Sequence, residues 1–227
     1  MNVAIVVAAG KGTRLGSSRP KQFLEIGGVP VIIHTLRQFE RSQEIKEIIA
    51  VLPAEESAGF LSLAKEFGVT KLSRVVAGGD TRARSVQKGL ASVRGGVVAV
   101  HDGVRPFVTP DEIDRVVRAA AASGAAILVA PVADTIKESE GGHIVRTLPR
   151  AVLRRALTPQ CFRYDLLERA YQGLAELEAN GVEVTDDSFL VERLRVDIVA
   201  VEGSARNIKI THEEDLALAR AVLGIVQ

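Results

Sequence analysis

The segment Val7-Ala8-Ala9-Gly10-Lys11-Gly12-Thr13-Arg14-Leu15-Gly16, running on to Pro20-Lys21-Gln22, is the densest concentration of chemically useful residues in the chain. Glycines let a backbone approach phosphate oxygens and turn its N–H groups toward them, while the small Ala8 and Ala9 leave room for a ring. Three nucleotide chemistries compete for such a string. A Walker loop needs GxxxxGK[ST], but Leu15 stands where its second glycine belongs. A dinucleotide loop needs GxGxxG and an acid about twenty residues on for the ribose. Leu15 replaces its third glycine too, and the second predicted strand ends Val51-Leu52-Pro53 without an acid. The third chemistry is triphosphate binding, where the cations Arg14 and Lys21 add to the backbone dipoles, because a triphosphate carries more charge than a dinucleotide's pyrophosphate. A turn with two solvated cations is the bland alternative, and the whole string placed after a first strand weighs against it.

Other residues fall on the same rim. Asp102 ends the predicted fourth strand, where a carboxylate can bind Mg²⁺ directly or through water, or accept the hydroxyl protons of a substrate. A turn with Gly103 is its structural alternative. Gly79 and Asp80 follow the third strand and can reach the first-strand loop, although Asp80 could equally cap the next helix. His34, His101, His143 and His212 show no metal spacing with one another or with Cys161, which argues against zinc. Glu55-Glu56 and Glu213-Glu214-Asp215 read as helix starts, where acids favour the dipole.

Positioning these residues requires an alternation of strands and helices. Asn2–Val7, Glu47–Leu52, Arg74–Val76, Val97–His101 and Ala125–Ala130 are nearly continuous apolar runs, as expected of strands buried on both faces. Val29–Glu40, Glu55–Phe67, Arg82–Val93 and Asp111–Ala122 have helical spacing. Thr109-Pro110-Asp111-Glu112 supplies the last of these with a capping residue, a first-turn proline and acids. The expected fold is α/β: a Rossmann-like, mostly parallel twisted sheet with helices on both faces. Residues 131–150 break the rhythm. They are polar, with two short extended pieces around Glu140-Gly141-Gly142, and predict a β-hairpin arm protruding from one domain spanning 1–227. Helices over Arg163–Glu178 and Thr185–Arg195, strands over Asp197–Val201 and Asn207–Ile210, and a last helix from His212 to Leu223 complete the expectation.

The chain has 227 residues, enough for one sizeable domain. A formal net charge of +1 gives no global reason to expect nucleic acid as a partner, so its cations matter locally. The single cysteine, Cys161, excludes an internal disulfide framework and fits a reducing cytoplasm. No signal peptide or membrane-spanning apolar run is visible, so no membrane partner is expected.

Ala8-Ala9-Gly10-x-Gly12-x-Arg14-Leu15 with Pro20-Lys21-Gln22 resembles the signature of nucleotide-sugar pyrophosphorylases and cytidylyltransferases. Further landmarks narrow the resemblance: Gly78-Gly79-Asp80-x-Arg82-x-x-Ser85-Val86, Val100-His101-Asp102-Gly103-Val104-Arg105-Pro106, Ala156-Leu157-Thr158-Pro159-Gln160, Thr185-Asp186-Asp187 and Asn207-Ile208-Lys209-Ile210-Thr211. In that order, across nearly the whole chain, they resemble the 2-C-methyl-D-erythritol 4-phosphate cytidylyltransferase family of the non-mevalonate isoprenoid pathway. Ribitol-5-phosphate cytidylyltransferases share most of them.

The resemblance implies that a phosphate oxygen of the polyol phosphate attacks the α-phosphorus of CTP, with Mg²⁺ as cofactor and pyrophosphate leaving. It implies catalytic roles for Arg14, Lys21 and Lys209. It places Ala8, Ala9, Gly10, Lys11, Gly12, Gly79, Asp80, Ser85 and Gly103 around the nucleotide. It assigns Asp102, Arg105, Thr135, Arg150, Thr158, Thr185 and Lys209 to the polyol phosphate, with Asp102 also at the metal. In the family the arm packs on a second subunit, which implies a homodimer in which Thr135 and Arg150 serve either their own site or the partner's. A solvated arm residue is the alternative for Arg150, beside Arg154 and Arg155. Three other functions stay open at this point: a ribitol-5-phosphate cytidylyltransferase, an NAD-dependent oxidoreductase, disfavoured by Leu15 and the missing acid, and a non-catalytic nucleotide sensor.

Overall fold

The first strand, β1 (Val3–Val7), is buried at every position because its two faces meet different helix layers. The computed structural model of the protein describes residues 1–10 and 20–224. After β1, the described chain resumes in a 3₁₀ turn at Lys21–Phe23, a short hairpin of β2 (Glu25–Ile26) and β3 (Val29–Pro30), and α1 (Val31–Arg41). Then come β4 (Glu47–Leu52), α2 (Phe60–Glu66), β5 (Leu72–Ala77), α3 (Arg82–Leu90), β6 (Val97–Asp102), α4 (Pro110–Ser123) and β7 (Ala125–Pro131). A hairpin of β8 (Lys137–Glu140) and β9 (His143–Thr147) follows. The chain ends with β10 (Arg154–Arg163), α5 (Tyr164–Gln172), α6 (Leu174–Ala179), α7 (Asp187–Glu192), β11 (Val199–Glu202) and α8 (Glu213–Val222).

Side chains of β1 alternate between two cores, as the pleat dictates. Ala4 and Val6 pack with Ile32, Ile33, Leu36 and Phe39 of α1 and with Ile113, Val116 and Val117 of α4. Val3, Ile5 and Val7 pack with Val86 and Leu90 of α3, Leu167 and Tyr171 of α5, and Val191 of α7. That two-sided burial explains the unbroken apolar runs in the sequence.

The seven-stranded sheet has the order β11-β7-β10-β6-β1-β4-β5. β10 runs antiparallel to both β6 and β7, and the remaining pairings are parallel. The chain winds from β1 outward through β4 to β5, then returns to place β6 on the other side of β1. Strand order therefore reverses at β1, and in open α/β sheets ligands bind beyond the carboxyl ends of the strands at such a point.

Several expectations need correction. The sequence shows no strand signal at 154–163, yet β10 is a ten-residue strand there. Its register with β7 shifts between Ala156 and Gln160, and its first three residues are exposed, so neither an alternating nor a continuous apolar run marks it. The expected strand at Asn207–Ile210 is instead a turn, in which the Asn207 N–H donates to Ser204 and the Ile208 N–H to Arg206. The helix expected over Arg163–Glu178 divides at Gly173 into α5 and α6. The one expected over Glu55–Phe67 is a 3₁₀ turn and then α2, entered through Gly59 at φ +76°. The hairpin at 137–147 forms where the polar segment predicts it, with every residue of both strands exposed.

Helix α4 ties the frame together. Thr109 and Glu112 form a capping box at its start. From its next turn, the buried Asp114 accepts from Ser42 Oγ at 2.5 Å, the Gln43 N–H at 3.1 Å and the Glu44 N–H at 3.2 Å. This carboxylate satisfies the turn that feeds β4, and a hydrogen bond to a charged group contributes roughly 1.5–3 kcal/mol net, although bonds sharing one carboxylate do not add. Asp114→Ala is therefore expected to lower the unfolding free energy by about 2–4 kcal/mol in urea melts, with nucleotide affinity unchanged at permissive temperature. A loss below about 0.5 kcal/mol, typical of an inert surface position, would contradict the role given to Asp114.

Candidate functional site

At the carboxyl end of β1 the backbone leaves the sheet at Ala8, whose N–H donates to Val51 at 2.8 Å. Gln22, buried beneath this exit, donates through Nε2 to the carbonyls of Ala8 at 2.7 Å and Gly10 at 3.0 Å. The described ends of the glycine-rich loop are thereby pinned from below. Lys11, Gly12 and Arg14 lie outside the described residues.

The residues that follow β5 and β6 approach this exit so closely that a side chain on either would clash. A Cβ on Gly78 would lie 2.2 Å from that of Ala9, and one on Gly103 would lie 2.8 Å from that of Ala8. Gly103 donates its N–H to Val7 at 2.8 Å, and its carbonyl accepts from Thr35 at 2.9 Å. It acts as a spacer between β6 and β1 and does not line the cleft. Ser85 also has a committed hydroxyl, which accepts from the Gly79 N–H at 3.0 Å and donates to Thr81 at 2.9 Å. Ser85 shapes the Gly79 turn while its surface faces the cleft.

The resulting cleft has a volume of about 500 Å³, large enough for a nucleotide. Ala8, Ala9, Gly10, Lys21, Gly79, Asp80, Ser85, Asp102 and Lys209, all chosen from the sequence, line it together. Gln22, Thr81, Arg82 and Val104 line it as well. Arg82 received no role in the sequence reading although it stood in a quoted motif. The usable signal was its place directly after the helix cap Thr81, at the carboxyl end of a strand.

Asp102 organises the floor. Its Oδ1 accepts from Arg82 Nε at 2.9 Å, while Oδ2 faces Arg105 Nε at 3.2 Å and Lys209 Nζ at 3.0 Å. Burial alone would push its pKa up, but Arg82, Lys209 and Arg105 outweigh that and hold the carboxyl well below the usual carboxylate range. Burial also opposes the charge of Arg82, and Asp187 and Asp102 overcome it, so the guanidinium stays ionised. Lys209 arrives on a turn, placed by the Ile210 N–H donating to Val104 at 2.9 Å. Arg105 is braced by a second bond, Nη1 to the Asn207 carbonyl at 2.9 Å.

Thr158 lies under this floor and does not face the cleft. Its Oγ1 accepts from the Asp102 N–H at 3.2 Å and lies 2.9 Å from His101 Nδ1. Thr135, Arg150 and Thr185 are exposed and do not line the cleft, and Arg150 donates to the Ala133 carbonyl at 2.8 Å. Cys161 is fully buried, and burial pushes its thiol up, so it offers no thiolate nucleophile.

The described residues do not form a resident metal site. Both oxygens of Asp102, the carboxylate expected at the metal, already face cations. Among the described residues no three His, Cys, Asp or Glu side chains gather to hold an ion.

The tautomer of His101 follows from its partners. Nε2 lies 3.1 Å from the Arg105 carbonyl, which can only accept, so Nε2 carries the proton. Nδ1 then accepts from the Thr158 hydroxyl, which in turn accepts from Asp102. Burial lowers the pKa of His101 to about 3 despite the nearby Asp102 carboxylate, so the ring is neutral. An unfolded histidine takes up a proton near pH 6.5, so between that pH and about 3 the unfolded state binds more protons. Stability is accordingly expected to fall as pH drops through this window. ¹⁵N NMR of the histidine rings should show His101 as the Nε2–H tautomer from pH 7 to pH 4.5, and a protonated Nδ1 in that range would overturn the relay.

The family model described as "IspD: 2-C-methyl-D-erythritol 4-phosphate cytidylyltransferase" matches residues 2–225. A protein of that name from Pelotomaculum thermopropionicum is 42% identical over 224 residues, covering 97% of this chain and 93% of its own. One from Bacillus velezensis is 43% identical over 223 residues, covering 97% and 95%. Among solved structures, the 4-diphosphocytidyl-2C-methyl-D-erythritol synthase of Anaerococcus prevotii superposes with a TM-score of 0.84 at 32% identity, covering 98% and 96%. The 2-C-methyl-D-erythritol 4-phosphate cytidylyltransferase of Thermus thermophilus gives 0.78 at 35% identity, covering 97% and 98%. With its switch-point cleft and cation-bound Asp102, the chain belongs to the 2-C-methyl-D-erythritol 4-phosphate cytidylyltransferase family.

Proposed function

We infer that the protein transfers the cytidylyl group of CTP to 2-C-methyl-D-erythritol 4-phosphate, releasing pyrophosphate, as a step of isoprenoid precursor synthesis. The observation that carries this reading is the gathering of Arg82, Arg105 and Lys209 on Asp102, which itself lines a nucleotide-sized cleft, within a chain matched over residues 2–225 by the family. A phosphate monoester has its second pKa at about 6, so the acceptor is already largely a dianion near neutral pH and needs no general base. One of its oxygens bonds to the α-phosphorus of CTP, the α–β bridging bond breaks, and its electron pair leaves with pyrophosphate. The obstacle is repulsion between two polyanions and the charge that builds on the leaving group, which fixed cations relieve.

In this reading Lys21, at the cleft beside Gly10, faces the α-phosphate, and Arg14 in the glycine-rich loop shares the triphosphate. Lys11 and Gly12 contribute backbone N–H groups to the same phosphates. Ala8, Ala9, Gly79, Asp80 and Ser85 frame the cytidine. Lys209 and Arg105 receive the incoming phosphate. Magnesium carried in on the CTP phosphates, as part of the substrate, would supply positive charge against the leaving pyrophosphate. Thr158 supports the site from beneath, whereas Thr135, Arg150 and Thr185 reach the polyol only if an arm or loop closes over the cleft.

We assign the exposed hairpin to a homodimer contact, supported by Ile144 and Val145, which are 64% and 54% exposed on β9. In such a dimer Thr135 and Arg150 would serve either their own cleft or the partner's. A cytosolic setting is consistent with the lone reduced Cys161. Among the described residues no helix is long and apolar enough to cross a membrane.

Two measurements test the reading. Pyrophosphate release assayed across the four nucleoside triphosphates and two acceptors is expected to require CTP and to favour methylerythritol phosphate. Preference for ribitol 5-phosphate, or CTP binding with no release, would sink it. Lys21→Ala is expected to lower turnover about 10²–10³-fold, the cost of losing one transition-state donor, with the melting temperature preserved.

A further inference from the structure

Two motifs quoted from the sequence remain without a role: Gln160 at the end of Ala156–Gln160, and Asp187 at the end of Thr185–Asp187. The structure joins them behind the cleft. Asp187 is fully buried, and its Oδ2 accepts from Arg82 Nη1 at 2.8 Å. Its Oδ1 accepts from the hydroxyl of Tyr171, itself buried on α5, at 2.5 Å. Its backbone N–H donates to Gln160 Oε1 at 3.0 Å, as does that of Ser188 at 2.9 Å. The other end of the Gln160 amide donates to Asp186 at 2.8 Å, and Asp186 caps α7 by accepting from Phe189. Every polar atom of the Asp187 carboxylate is thus directed, and the element carrying it is fastened to β10.

A fully buried carboxylate is costly unless it is paired, and here its charged partner is an arginine that lines the cleft. Arg82 is gripped at two points of its planar fork, Nε by Asp102 and Nη1 by Asp187. Two anchors on one guanidinium fix both its position and its plane, which a single carboxylate cannot do. The Tyr171 hydroxyl is held as a donor, since burial and then Asp187 push its pKa well above the usual tyrosine value.

We propose that Asp187 is a positioning residue for the transfer reaction: it orients Arg82, a catalytic cation of the cleft, and acts on the substrates only through that guanidinium. Tyr171 and Gln160 orient Asp187 in turn. The proposal deepens the cytidylyl-transfer reading and rests on it for the activity assay. A buried ion pair kept only for stability would move the melting temperature and nothing that depends on Arg82.

A double-mutant cycle on pyrophosphate release separates the two roles. Arg82→Gln is expected to lower kcat about 10²-fold, as for loss of one electrostatic donor. Asp187→Asn, which keeps the shape and the acceptor for Tyr171, is expected to lower it about tenfold, with a KM for CTP within a factor of about two. The double variant should be no slower than Arg82→Gln within about threefold, because sites that act as one unit are not additive. Additive losses approaching about 10³-fold, or an unchanged kcat in folded Asp187→Asn, would refute the positioning role. If Asp187→Asn does not fold, Tyr171→Phe enters the same cycle: a three- to tenfold fall that vanishes in the Arg82→Gln background supports the proposal, and a persisting fall overturns it. A readout free of turnover distinguishes failure of the function itself. The Arg82 Nε–H resonance should exchange with solvent at least tenfold faster in Asp187→Asn, although Asp102 is intact. No acceleration would overturn the proposal whichever reaction the wild type performs.

Discussion

The site depends on one electrostatic constraint: a buried carboxylate, Asp102, sits among three cations that come from three separate parts of the chain. Removing a carboxylate from water costs several kcal/mol even after relaxation, and one opposite charge at contact distance recovers about 4 kcal/mol at an effective dielectric of 20. A single partner would roughly break even. Arg82 from the start of α3, Arg105 from the turn after β6 and Lys209 from the late turn overcompensate together. Asp102 therefore remains ionised and holds like charges together that would otherwise spread apart. Adding Asp187 still leaves three cations against two carboxylates, so the cluster carries an unmet demand for negative charge at the cleft floor. A phosphate would supply that negative charge.

The fold makes this arrangement affordable. Asp102 stands at the reversal of strand order, so β1 delivers the glycine-rich exit on one side and β10 lies on the other. The antiparallel β10 places Thr158 beneath Asp102 and Gln160 beneath Asp187, and in doing so supplies the backing for two carboxylates at once. His101, neutral because it is buried, passes the Asp102 contact through Thr158 to the Arg105 carbonyl without adding a fourth positive charge. Behind the floor, nearly every buried polar atom has a partner. Asn207 Oδ1 is the exception among the described residues, and the same side chain still donates to the Thr158 carbonyl.

How much of this was legible follows from which physical signals are local. The strands β1, β4, β6 and β7 carry helices on both faces, so their runs of Val, Ile and Ala announce them directly. The start of α4 needs only four consecutive residues, and Thr109 was read there as the cap, with Pro110 and the acids after it. β10 was invisible because its pairing is set by tertiary register and its first residues are exposed. Lys209 lines the cleft, but not from the expected strand, since a short β-branched run cannot be told from a turn whose Ile210 is buried by long-range packing. Thr158 was assigned to the substrate on its resemblance, and only the fold shows that its hydroxyl is spent between Asp102 and His101. Arg82 and Asp187 were hidden for the same reason: their meaning lies in a contact 105 positions apart.

Electrostatics and selectivity are consequently housed in different materials. The residues that neutralise phosphate are braced by strands, helix starts and buried hydrogen bonds, which fix geometry to the tolerance that charge stabilisation requires. Thr135, Arg150 and Thr185, three of the positions that resemblance assigns to the polyol phosphate, are exposed on an arm or loop with few such supports. A frame of this kind can keep its phosphate chemistry while its exposed elements change the hydroxyl pattern they meet. That separation gives a physical reason why cytidylyltransferases for different polyol phosphates share landmarks. Those landmarks record the cost of assembling charge, which is the same for every acceptor, whereas the choice of acceptor depends on side chains that the core does not constrain.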